Sequence, residues 1–261
     1  MTWFWYGVDF TWNKILGRSI LQNPIETIGI IIILFILVFG CLATLQLFQN
    51  YRKTQRIPTL YFAIGLALYL VAAVLLIIER ICLAILGLAD LGTFMAVFAL
   101  SAAGTAGVFS LRFIFLTSYP EQDKILTLIV AIGEALSHGC LCFAIILGPP
   151  FANLINYEIV YAPFVNIIFL CLIIPLIVIG VGTFFIYAYK LRIEDKPNSI
   201  RTFWLGTGIL IFFLGLLGEL VPIFPEILSI PFRSLMLMGT LITYICFLMP
   251  KWFKDKIGWK E

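Results

Sequence analysis

The chain has 261 residues, of which 62% are hydrophobic and 12% charged, and a mean hydropathy of +1.08. A soluble domain carries about 25% charged residues, so this composition excludes a water-soluble globular fold and leaves lipid as the solvent. The net charge of +3 is no nucleic-acid signal, because the basic residues sit in short clusters beside apolar runs.

In chain order, residues 1–24 open with Trp3, Phe4, Trp5, Tyr6, Phe10 and Trp12. Aromatics of this density prefer the headgroup region, and the segment lacks the basic start and continuous apolar core of a secretory signal. It reads as an interfacial aromatic segment ending at Pro24. Apolar runs long enough for the ~20-residue crossing of a bilayer then follow. The first is Ile25 to Phe48, closed by the polar Asn50 to Arg56. The second opens at Pro58, a favourable first helical position, and continues to Leu88. The third runs from Leu91 to Leu116, and the fourth from Ile125 to Leu147, stopped by Gly148-Pro149-Pro150.

A loop with Asn153, Asn156 and Glu158 leads to the fifth run, Val160 to Tyr189, which Pro175 is expected to kink. The sixth is Ile200 to Val221, and the seventh is Phe232 to Met249. The expected fold is therefore an all-α integral membrane bundle of seven transmembrane helices over residues 25–249, followed by a basic tail over 250–261.

Of the 17 basic residues, all but Lys14, Arg18, Arg80 and Arg233 fall in the odd-numbered connections or the tail. Lysine and arginine in short loops stay cytoplasmic. The N-terminus is thus expected outside and the C-terminus in the cytoplasm, in a multi-pass protein of the cell membrane. The tail mixes Trp252, Phe253 and Trp259 with lysines, as a helix lying on an anionic leaflet does. The six cysteines all lie in apolar runs, which suits packing better than disulfides.

Ionisable groups inside a bilayer are costly and mark functional positions by default. Glu134 falls about 14 Å along the fourth run from its cytoplasmic end, near the midplane. His138, the single histidine, lies one turn further out on the same face. Glu219, Glu79, Arg80, Arg233 and Asn166 all fall toward the outer side. They suggest a polar cavity open to the outside, with Glu134 and His138 as its floor and the others around it, binding a small ligand. The structural alternatives are snorkelling arginines, ion pairs with Glu79 and Glu219, and a Glu134–His138 lock between helices.

No catalytic residue, cofactor or metal site is expected. One histidine cannot build a multi-histidine zinc site, and the seventh run has no lysine for a retinal Schiff base. The run Ser101-Ala102-Ala103-Gly104-Thr105-Ala106-Gly107 reads as a helix-packing surface.

The Tyr51-Arg52-Lys53 loop, Pro58-Thr59-Leu60-Tyr61-Phe62-Ala63 opening the second run and Glu79 near its end resemble the seven-helix sensory input modules of prokaryotic histidine kinases. The resemblance implies a sensor. With no effector after Glu261, it would act through a separate cytoplasmic signalling protein. The expectation is a receptor-like sensor partnered by the lipid bilayer, an outside ligand and that protein, with no nucleic acid involved. A proton-coupled or small-solute transporter using Glu134 and His138, and a structural subunit of a membrane complex, are the alternatives.

Overall fold

The computed structural model describes residues 24–83, 88–155, 158–220 and 229–259. The interfacial segment expected over 1–24 lies outside them, apart from Pro24. The described chain is almost entirely helical, with seven helices long and apolar enough to cross a membrane. These are α1 (Pro24–Thr54), α2 (Ile57–Ile81), α3 (Ala89–Ser118), α4 (Asp123–Leu147), α5 (Pro163–Glu194), α6 (Lys196–Leu220) and α7 (Ser229–Leu248). A short α8 (Lys251–Ile257) follows. Their outward faces carry exposed Leu34, Val38, Phe98, Leu128, Phe143 and Val178. Water would penalise this surface, and lipid does not. The chain is a multi-pass membrane protein.

Local chemistry accounts for the helix ends. At the close of α1, Gln55 adopts φ 53°, donates its amide N–H to the Tyr51 carbonyl at 2.7 Å, and bonds the Arg52 carbonyl through its side chain at 3.1 Å. Pro58 and Pro163 sit in the first turns of α2 and α5, where a missing N–H costs nothing. Asp195 caps α6: its Oδ1 accepts the Asn198 amide at 3.1 Å, and the Asn198 side chain bonds the other oxygen. Those hydrogen bonds hold the Asp195 carboxyl below its usual range. The helix α5 continues unbroken past Pro175.

Each spanning helix packs against its predecessor, and α7 closes the ring against α1. Phe39 meets Tyr244 across that closing seam, with ring centroids 5.8 Å apart. The α6 and α7 backbones cross closely, so that a Cβ on Gly239 would fall 2.5 Å from the Gly208 carbonyl and one on Gly215 would fall 2.5 Å from the Phe232 carbonyl. Small residues here let two backbones touch. A buried core of Leu111, Val130, Leu141, Phe169, Leu176 and Phe184 fills the ring.

Among the described residues, one element departs from the helical class. Strands β1 (Ala152–Ile155) and β2 (Glu158–Tyr161) form an antiparallel hairpin, with Ala152 opposite Tyr161 and Ile155 opposite Glu158. Gly148 (φ 68°) ends α4, and the polar connection foreseen as a loop folds back over that helix. We call the end of the bundle bearing this hairpin the hairpin end. The opposite end, with the α1–α2, α3–α4 and α5–α6 turns and α8, is the basic end.

The tail also differs in its use of apolar residues. Phe253 and Ile257 are buried against the bundle, while Lys251, Trp252 and Lys256 stay exposed. Gly258 (φ 74°) closes α8, with its N–H on the Asp255 carbonyl at 3.3 Å and the Trp259 N–H on Lys254 at 2.9 Å. Arg201 clasps this corner, donating from Nε to the Cys246 carbonyl at 2.9 Å and lying 5.9 Å from the ring centroids of Phe247 and Trp259. Of the cysteines, Cys41 and Cys171 face outward rather than into the core.

Candidate functional site

Midway along α4, three polar residues turn inward: Glu134, Ser137 and His138. Their i, i+3, i+4 spacing puts them on one face. Glu134 is 5% exposed and Ser137 is fully buried. The facing wall is α3, whose glycines make room for the side chains. A Cβ on Gly107 would fall 2.5 Å from Glu134 Oε1, and one on Gly104 would fall 2.9 Å from the His138 ring. The small-residue run of α3 therefore does more than bring two helices together. It is a cradle for an acid and a base.

His138 Nδ1 stands 2.9 Å from Glu134 Oε2, within ion-pair reach. It also lies 3.2 Å from the Glu134 carbonyl and 3.3 Å from Ser137 Oγ. Ser137 donates its own hydrogen to the Glu134 carbonyl at 3.0 Å, so it offers Nδ1 only a lone pair. All three neighbours of Nδ1 are acceptors, which assigns the hydrogen to that nitrogen. The single N–H cannot point at all of them. Glu134 Oε2 accordingly remains buried without an in-line donor, despite the short ion-pair distance. Phe169 closes the other side of the imidazole edge-on, with centroids 5.8 Å apart.

Below the pair, toward the basic end, lies a cavity of about 40 Å³. Glu134, Tyr69 of α2, and Ser110 and Gly107 of α3 are among its lining residues, and the lining is mostly apolar. Phe62 and Ile114, both buried, lie toward its basic end. Sequence reasoning placed all polar groups from the midplane outward and passed over Tyr69 and Ser110 because they carry no charge. A tyrosine about 18 Å into an apolar helix was a signal, since a buried phenol needs a partner.

Arg233, Glu79, Arg80 and Asn166 lie further toward the hairpin end than Glu134 and His138. Arg233 is 2% exposed and its guanidinium lies over Gly29, in the seam between α1 and α7. Glu79 is buried near the hairpin end of α2, close to Tyr161 of β2. Burial pushes the Tyr161 phenol up, and the nearby Cys142 and Glu79 push it further. Arg80 and Asn166 are half-buried on α2 and α5. The backbone of Glu219 lies in the last turn of α6, and its side chain is outside the described residues.

At the basic end, α3 and α4 meet again through charge. Arg112 reaches Asp123 at 3.8 Å and stacks 4.4 Å from the centre of the Tyr61 ring on α2. One helix thus carries both the glycine cradle and this clamp. Among the described residues, no group of three histidine, cysteine or acidic side chains is placed to hold a metal. No protein-family model matches the chain, and no curated protein or solved structure matches it.

Proposed function

We infer that this chain is a seven-helix sensor of the cell membrane. It responds to a small polar ligand arriving from the outer, hairpin-end side and signals to a separate protein at its cytoplasmic, basic end. The observation that carries this reading is the span of α3 from Gly104 to Arg112, about 12 Å of helix rise. One end of that span cradles the Glu134–His138 pair, and the other clamps α2 and α4. A buried acid and base with imperfect hydrogen bonding is poised to rearrange. A ligand that binds one arrangement better shifts the population, and the rigid α3 moves its clamp with it. The likeness of the second span to histidine-kinase sensory modules points the same way.

The small cavity on the basic-end side of Glu134, whose lining includes this carboxyl, favours a second reading, a proton-coupled carrier using the same pair. One purification separates the two. The full chain is taken gently from its own membrane, and mass spectrometry reads its partner proteins and retained small molecules. A cytoplasmic protein at fixed stoichiometry, lost with Arg112→Ala, is expected. A chain that purifies alone and carries protons in liposomes, in a manner abolished by Glu134→Gln, overturns the sensor in favour of the carrier.

A further inference from the structure

Two arginines at the basic end are held in different ways. Arg112 pairs with Asp123 at 3.8 Å. Arg201, half-buried in the second turn of α6, has no carboxylate partner among the described residues. Its neighbours are the Cys246 carbonyl and the rings of Phe247 and Trp259. The carbonyl belongs to the C-terminal end of α7, where a cation is favoured. That contact uses Nε, which carries one of the five N–H groups of a guanidinium. The rings attract the charge but take no hydrogen bond in the guanidinium plane. The four N–H groups on Nη1 and Nη2 therefore have no acceptor among the described residues.

The surroundings set the depth and the sign of what can complete them. Trp204, one turn further along α6, is 42% exposed, and Trp252 of α8 is 57% exposed. Exposed tryptophans collect at the level of the lipid headgroups, so Arg201 opens at that level. Phe253 and Ile257 seat α8 on the bundle and bring Trp259 against the guanidinium. The same short helix carries three lysines against one acid, and Lys251 and Lys256 are exposed. A guanidinium matches two oxygens of a phosphate with parallel N–H groups. A zwitterionic headgroup would bring a second cation into this basic corner, and an anionic one would not.

We propose that this corner binds the phosphate of an anionic phospholipid, held by the Nη groups of Arg201 and attracted by the lysines of α8. The tail is then half of a headgroup site whose other half is α6, rather than a helix that only lies on the leaflet. The proposal rests on the Arg201 corner and stands whether the chain is a sensor or a carrier.

Photo-crosslinking tests it on the full chain in phosphatidylcholine nanodiscs. The probe is phosphatidylglycerol with a photoreactive group beside its phosphate, and mass spectrometry locates the labelled peptides. The α1–α2 turn serves as the comparison, since Arg52, Lys53 and Arg56 are all exposed there. Peptides bearing Arg201 and α8 are expected to be labelled several-fold more than that turn. Equal labelling of the two regions overturns the proposal without any variant. The same probe built on phosphatidylcholine is expected to label the corner several-fold less, and equal labelling by both lipids overturns the anionic assignment. Millimolar inorganic phosphate should leave the labelling unchanged, and loss of label would assign the corner to a free anion instead. Arg201→Gln keeps an amide donor for the Cys246 carbonyl and is expected to bring labelling down to that of the α1–α2 turn. Unchanged labelling in this variant overturns the role of Arg201.

Discussion

Two acid–base contacts lie along the same pair of helices, one within α4 against α3 and one between the two, and they are built for different environments. Glu134 and His138 lie 2.9 Å apart on α4 with side chains 7% and 14% exposed, walled by the glycines of α3. Arg112 and Asp123 bridge α3 and α4 at 3.8 Å, with the arginine side chain 32% exposed at the basic end. The inner contact is closer, yet each leaves one buried atom unmatched, Glu134 Oε2 in the inner contact and Arg112 Nε in the outer one. The outer one is looser but can draw on water and on the Tyr61 ring. Distance alone therefore does not rank them. In a low-dielectric surround each charge must find a partner inside the protein, so the buried pair is sensitive to single changes and the clamp is tolerant of them.

The comparison breaks first at His138. Removing one member of a buried pair costs about 3–5 kcal/mol, because the other is left uncompensated. His138→Ala should therefore lower the thermal midpoint in detergent more than Gly107→Ala or Asp123→Asn does. Glu134→Gln with His138→Gln should recover much of that loss, and a double-mutant cycle reads the coupling. A His138→Ala protein as stable as the parent would mean that the pair contributes no charge interaction worth the name.

Next in size is Gly107→Ala. Its Cβ would fall 2.5 Å from Glu134 Oε1, which must move or push the helices apart. Overpacking of this kind costs about 1–3 kcal/mol. The same substitution made in a Glu134→Ala background should cost almost nothing, since the clashing oxygen is gone. Equal costs in both backgrounds would show that Gly107 serves backbone approach rather than the carboxylate.

This dependence on neighbours explains what the sequence could and could not reveal. The seven spans were legible because length and apolar content suffice for them, and Pro58, Gly148 and the Asn50–Arg56 run mark ends by local chemistry. The i, i+4 relation of Glu134 and His138 was legible for the same reason. The role of Gly104 and Gly107 was not, since a small residue announces space without saying which side chain fills it. Tyr69 and Ser110 carry no charge, and they line one cavity with Glu134 only when three helices assemble, a long-range fact. Arg233 was drawn into a common cavity by its depth alone, whereas ring closure places it over Gly29 between α1 and α7. The tail's mix of aromatics and lysines suggests a helix lying on the leaflet, yet the bundle takes Phe253 and Ile257.

The smallest effect is expected at the clamp, where it is also the most informative. Asp123→Asn removes the carboxylate charge but keeps the shape; Asp123 is itself buried, but its partner Arg112 reaches water, and an ion pair screened in this way contributes about 1 kcal/mol. Arg112 keeps its place over Tyr61, so the thermal midpoint should barely move. Raising the salt concentration should shrink even that difference, because screening acts on the partly exposed arginine. The Glu134–His138 loss should not respond to salt, since ions do not reach a buried pair. If Asp123→Asn instead destabilised the protein as much as His138→Ala, independently of salt, the basic end would be as closed as the middle. In that case α3 would be gripped equally at both points and could not transmit a movement from one to the other.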